Sequence, residues 1–150
     1  MVIEVKEADR AYYQSYVGKK CTIEMCHWND GICDAYVIGQ DKDFVFYFAP
    51  EKKCKKVGAL AKQYMQRITL EENTIEIPEE MDFYMNPSRY FFRNRLVNVY
   101  LNERHFFSGI IGKETEILGA FVGDMNEECI TILPGQQIAL MEIAKIETRV

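Results

Sequence analysis

The sequence predicts a mainly β (α+β) protein: two tandem small barrels, each preceded by a short helix, with one extra helix near 56–67. Three observations predict this class. Apolar residues alternate with polar ones in short stretches, turn residues recur at roughly eight- to twelve-residue intervals, and the second half restarts with a pattern like that of the first. Such spacing favours a small barrel or sandwich over helices packed on a parallel sheet.

Residues 7–17, EADRAYYQSYV, read as a short helix with Ala8, Ala11, Tyr12 and Ser15 on one side and Tyr16 stacked beside Tyr12; Gly18 stops it. KKCTIEMC then alternates Cys21, Ile23 and Met25 against Lys20, Thr22 and Glu24, the period of a half-buried strand. Asn29-Asp30-Gly31 tolerates positive φ and reverses the chain into ICDAYVIG, and QDKD turns it again into DFVFYF. From Lys55 the spacing changes, with Val57, Leu60, Ala61, Tyr64 and Ile68 at three- and four-residue steps as on an amphipathic helix.

The acidic, proline-bearing stretch EENTIEIPEEMDFYMNPSRY is the natural hinge. It divides the chain into a first unit at 1–72, an acidic linker at 73–87 and a second unit at 88–150. SRYFFRNRLV (88–97) lies on DRAYYQSYV (9–17), with Asn86 or Ser88 as helix cap and Pro87 tolerated in the first turn. RLVNVYL, HFFSGIIG, ILGAFVG, ECITIL and QQIALMEIAKIETRV supply a further run of strands. YVIGQDKDFVFYF (36–48) pairs with FVGDMNEECITIL (121–133): each has a glycine near the end of a strand, an acidic turn and an apolar strand. Internal repetition and independent β-meander patterning both account for these matches.

GKKCTIEM in the first half, with FSGIIG, GAFVGDMN and IALMEIAKI in the second, resembles the Sm-like or SH3-like small barrel over roughly 17–70 and 93–150. Ile138, Ile143 and Ile146 are similar to the closing strand of such barrels. The Sm family holds RNA with an acidic residue and asparagine in one loop and an Arg-Gly pair in another. Asp124 and Asn126 stand closer together than that pattern and the C-terminal segment has no Arg-Gly, so RNA binding does not carry over. The fold by itself selects no function.

Composition narrows the classes. At 150 residues, 48% apolar and 27% charged, the chain can bury a real core. A net charge of -5 disfavours a long nucleic acid as partner, because a binding patch would work against the field of the whole molecule. No run approaches the roughly 18 apolar residues of a membrane span, and the opening carries charges inside every apolar stretch, so a cytoplasmic protein without a membrane partner is expected. Five cysteines without a repeating spacing suit reduced thiols.

The octet CHWNDGIC (26–33) looks the most chemical. Cys21, Cys26, His27 and Cys33 include zinc-ligand types, yet no Cys-x-x-Cys exists and the odd separation of Cys21 from Cys26 puts them on opposite strand faces. No metal or cofactor is therefore expected. A Cys26 or Cys33 thiol with His27 or His105 keeps a thiol- or zinc-dependent enzyme as a third reading, although no hydrolase or phosphate-cradling motif is present. The lead reading is a non-enzymatic protein acting through protein–protein association, as oligomer subunit, adaptor or inhibitor. Exposed Trp, His and Arg at hairpin tips are the usual anchors, which nominates Trp28, His27 and Asp30 in one half and Arg104, His105 and Phe106 in the other.

The alternative is a small nucleotide-like anion held by basic residues interleaved with aromatics. Lys52–Lys56, Lys62 and Arg67 in one half and Arg89, Arg93, Arg95 and Arg104 in the other lie near Tyr64, Tyr90, Phe91 and Phe92. Arg93 and Arg95 complete the candidate set. The plainer account of the same residues is that lysines solvate a helix while aromatics face the core.

Overall fold

The computed structural model describes residues 2–4, 13–25, 31–51, 54–71, 79–101 and 116–150. They form one antiparallel sheet of eleven strands: β1 (Val2–Glu4), β2 (Lys20–Met25), β3 (Ile32–Gln40), β4 (Phe44–Glu51), β5 (Cys54–Ala61), β6 (Met65–Leu70), β7 (Leu96–Leu101), β8 (Glu116–Met125), β9 (Cys129–Ile132), β10 (Gln136–Ala139) and β11 (Ile143–Arg149). Their spatial order is β1-β6-β2-β3-β4-β5-β11-β7-β8-β9-β10. The mainly β class holds. No helix among the described residues is long and apolar enough to cross a membrane.

The helix expected near 56–67 is replaced by β5, a 3-10 turn at Lys62–Tyr64 and β6. The reason lies in β5's environment: Val57, Ala59, Leu60 and Ala61 are buried towards both faces, so from Val57 onward the strand has no polar face and its alternation disappears. Of the first predicted short helix, the described part begins at Tyr13, where Tyr16 and Val17 donate to the carbonyls of Tyr13 and Gln14. The second is a 3-10 turn at Arg89–Phe92, capped by Ser88, whose hydroxyl accepts from the Tyr90 amide.

β2–β6 and β7–β11 share one connectivity. In each set four strands form a meander, a 3-10 turn follows (Lys62–Tyr64 or Leu140–Glu142), and the fifth strand returns to pair with the first. The registers match as well. Cys21 faces Ala35 and Ile23 faces Ile32 across a bulge; Val97 faces Ala120 and Val99 faces Ile117 across another at the same place. Val37 faces Tyr47 and Gly39 faces Phe46, as Val122 faces Ile132 and Asp124 faces Thr131.

The turns that follow are built alike: Asp41 Oδ1 accepts from the amides of Asp43 and Phe44, and Asn126 Oδ1 accepts from those of Glu128 and Cys129. Gly18 and Asn94 both take positive φ, and both donate their amides to the carbonyl of the matching valine, Val37 or Val122.

The packing of the two sets differs. β2 to β6 enclose Cys21, Ile23, Met25, Ala35, Val37, Val45, Tyr47, Leu60, Met65 and Ile68, with Tyr13 and Tyr16. The other face of β3–β5 presents Tyr36, Ile38, Phe44, Phe46, Phe48, Val57 and Ala59 to a second core, which Val97, Val99, Val122, Ile130, Ile132, Ile138, Ile143 and Ile146 complete. β7–β11 therefore close over the outer face of β3–β5. The continuous apolar run FVFYF is the sequence trace of a strand buried on both sides. Met81, in the 3-10 turn Glu79–Tyr84 within the span expected as acidic linker, is buried in this shared core.

Candidate functional site

Three features decide what this surface offers: the seam between the two strand sets, the sheet edges and a cleft beside the seam.

At the seam β5 pairs with β11, from Leu60↔Lys145 through Gly58↔Glu147 to Lys56↔Arg149. Gly58 is required by close approach. Tyr47 lies across it, and any Cβ on residue 58 would overlap the Tyr47 ring. Crossing β5 in this way, Tyr47 Oη donates to Glu147 Oε2 at 2.9 Å, Tyr100 Oη donates to Oε1 at 3.1 Å, and Lys56 Nζ stands 3.6 Å from Oε1. Glu147 is buried, and these partners keep its charge compensated.

A second lock joins the sets near Arg89, whose side chain is only 7% exposed. Its Nε donates to Asp41 Oδ2 at 2.9 Å and its NH2 group donates to Asp43 Oδ2 at 2.8 Å, while the guanidinium lies over the Phe44 ring. Burial works against the charge, yet the hydrogen bonds to Asp43 and Asp41 outweigh it and hold the Arg89 pKa above its usual value. Asp41 thus serves its own turn with one oxygen and the opposite strand set with the other.

The basic-aromatic mixture read from the sequence largely dissolves into structure. Arg89 is an internal lock; Lys62 is buried, donating to Gln40 Oε1 and the Asp41 carbonyl. Lys55 pairs with Glu80, Lys56 with Glu147 and Arg67 with Glu24. Of the candidate residues, Trp28, His27, Asp30, Arg104, His105 and Phe106 lie outside the described residues. Arg93 is exposed at the end of the 3-10 turn Arg89–Phe92 and lines no described cleft; Arg95 does line one. Neither of the two described clefts holds both.

That cleft, of about 590 Å³, lies on the outer face of β7 and β8 beside the seam. Leu96 and Phe121, directly opposite each other across β7 and β8, form its apolar surface. Asn94, Asn98, Arg95 and Arg149 add polar groups. The Arg95 guanidinium stacks 4.1 Å from the Phe91 ring centroid, with Nε donating to the Phe91 carbonyl. Among the described residues neither Arg95 nor Arg149 has a carboxylate partner. Sequence reasoning missed Leu96, Asn98, Phe121 and Arg149, which converge only through strand pairing.

A second cleft of about 600 Å³ runs between the β3–β4 turn and the Leu140–Glu142 turn, with Met141 70% exposed on its rim. Among the described thiols, Cys21 is buried and its pKa is pushed up to about 12, chiefly by desolvation, so it is a poor nucleophile. Among the described residues no cluster of three or more His, Cys, Asp or Glu could hold a metal ion.

The sheet has two outer edges. β1 lies on β6 at one, with Val2↔Thr69, Ile3↔Ile68 and Glu4↔Arg67. β10 forms the other, paired among the described residues to β9 alone. Comparison with protein-family models, curated proteins and solved structures finds no match to this chain.

Proposed function

We propose that this protein is a non-enzymatic binding protein of two tandem SH3/Sm-like small barrels, acting by self-association as an oligomer subunit. The observation that carries this reading is the seam. The fourth strand of the first unit, β5, is completed by the fifth strand of the second, β11, and the second unit's own fourth strand, β10, stands at an edge of the sheet with no second strand beside it among the described residues. Matching registers support treating β2–β6 and β7–β11 as copies of one unit, so β10 offers a neighbour the same backbone ladder that β5 offers β11. Strand addition at such an edge derives affinity from main-chain hydrogen bonds and specificity from alternate side chains.

Exposed apolar side chains on the second unit, among them Leu118, Leu133 and Met141, suit the same role. The test is the mass of the full chain in solution. Self-association gives a concentration-dependent multiple of 17.5 kDa, reduced by Gln137→Pro in β10 without loss of the folded spectrum. A strict monomer up to about 100 µM removes the self-association reading.

A further inference from the structure

We infer that the cleft beside the seam is a binding site for a nucleoside phosphate: an apolar ring on Leu96 and Phe121, and phosphate oxygens on Arg95 and Arg149. This goes beyond the proposed self-association and stands independently of it.

The argument rests on a comparison the molecule makes with itself. Matching registers put Lys20 at the place of Leu96, Tyr36 at that of Phe121, and Lys19 at that of Arg95. One step beyond Leu70 and Thr148 in the fifth strands, Glu71 stands where the second unit has Arg149. Asp34 and Gly119, also equivalent, both take positive φ, so the backbone frame is preserved.

In the first unit this frame is neutralised, because Lys20 Nζ lies 3.6 Å from Glu71 Oε2. The second unit replaces that pair with Leu96 and Arg149. Lys20 to Leu96 exchanges a cation for an apolar surface, Glu71 to Arg149 exchanges a carboxylate for a guanidinium, and Glu147, at the place of Thr69, is a new carboxylate in the frame.

The remaining lining groups fit the same ligand. Among the described residues that line the cleft Glu147 is the one carboxylate, and both its oxygens are engaged by Tyr47, Tyr100 and Lys56. Arg95 is held by its stack on Phe91 and its Nε hydrogen bond, which leaves its terminal NH2 groups for bidentate contact with a phosphate. Asn98 Oδ1 accepts from the Gly119 amide at 2.9 Å, fixing the side chain so that its NH2 group is available to a ring acceptor. A cleft of about 590 Å³ falls within the range of small-ligand sites. A compact anion needs only this local positive spot, which the net charge of -5 does not preclude.

The test is titration calorimetry of the full chain with the common nucleoside monophosphates, with the parent nucleosides and inorganic phosphate as separate probes. At least one nucleotide should bind, and its nucleoside and inorganic phosphate should each bind at least about tenfold more weakly. Arg95→Ala should weaken binding about tenfold, and Arg149→Glu, which restores the first unit's acidic residue, should abolish it. Lys42→Ala, outside the cleft, should leave it unchanged. Unaltered melting temperatures of the Arg95 and Arg149 variants separate loss of site from loss of fold. Absence of binding by every nucleotide, inorganic phosphate binding as tightly as the nucleotide, or full retention of binding by Arg149→Glu overturns the inference.

Discussion

β5 and β10 hold equivalent places in the two strand sets, yet they live in different surroundings. β5 spans eight residues, is paired on both sides and is buried on both faces over its C-terminal half. β10 spans four residues, is paired among the described residues on one side only, and buries Ile138 while Gln136 and Gln137 are exposed. The same topology thus yields a core element in one place and a surface edge in the other. Neighbouring backbone makes the difference: a strand that gains a second partner and a second packed face keeps polar side chains only where they find partners, as Glu147 of β11 does with Tyr47 and Tyr100.

The sharpest way to break this comparison is one substitution at both equivalent positions. Gly58 and Gln136 correspond, facing Tyr47 and Ile132. Gly58→Val would drive a side chain into the buried Tyr47 ring and break its bond to Glu147, with an expected loss of about 3 kcal/mol in urea unfolding. Gln136→Val should change stability by less than about 0.5 kcal/mol, as at an ordinary exposed site. Equal costs at the two sites would show that the seam is no tighter than the edge.

The Arg89 lock comes next. Arg89→Ala leaves Asp41 and Asp43 facing each other beside an emptied site, and should cost about 2 kcal/mol. The estimate stays below that for a fully buried pair because Asp43 is half-exposed. Asp41→Asn should cost less, since an amide oxygen still closes the turn, as Asn126 does in the other strand set. A neutral Arg89→Ala would show that the seam holds the two sets together without it.

The smallest effect at neutral pH concerns Cys21, whose place in the second set is taken by Val97. Its thiol pKa is raised in the folded state from 9.0 to about 12, so the fold favours the neutral form. That contribution is fully present below pH 9 and is lost as pH rises from about 9 towards 12, at no more than about 1.4 kcal/mol per pH unit. Cys21→Val should flatten this alkaline slope while changing stability at pH 7 by under about 1 kcal/mol. In thiol labelling of the native protein, Cys21 should react far more slowly than the half-exposed Cys54 and Cys129.

Alternation over KKCTIEM and RLVNVYL was enough to place β2 and β7, because each has one buried and one open face. The acidic or amide turn residues between β3 and β4 and between β8 and β9 were legible for the same local reason: an Asx side chain closes its own turn. β5 was misread as a helix because burial on both faces erased its period, leaving Val57, Leu60 and Ala61 to mimic a helical stripe. Of the candidate cleft, the basic pattern in the sequence points to Arg95 and Lys56. Leu96, Phe121 and Arg149 come from three strands, and their convergence is a matter of register.

Amino-acid order alone therefore determined the β class, the turns and the restart of the pattern after residue 88, because propensity, alternation and turn chemistry act over a few residues. Tertiary structure decided that the second strand set closes over the first, that Arg89 and Glu147 become internal locks, and that one frame carries Lys20 paired to Glu71 in one half and Leu96 near Arg149, which has no carboxylate partner among the described residues, in the other. Those outcomes depend on which backbones meet edge to edge, and side chains far apart in the chain acquire a common environment only after that meeting.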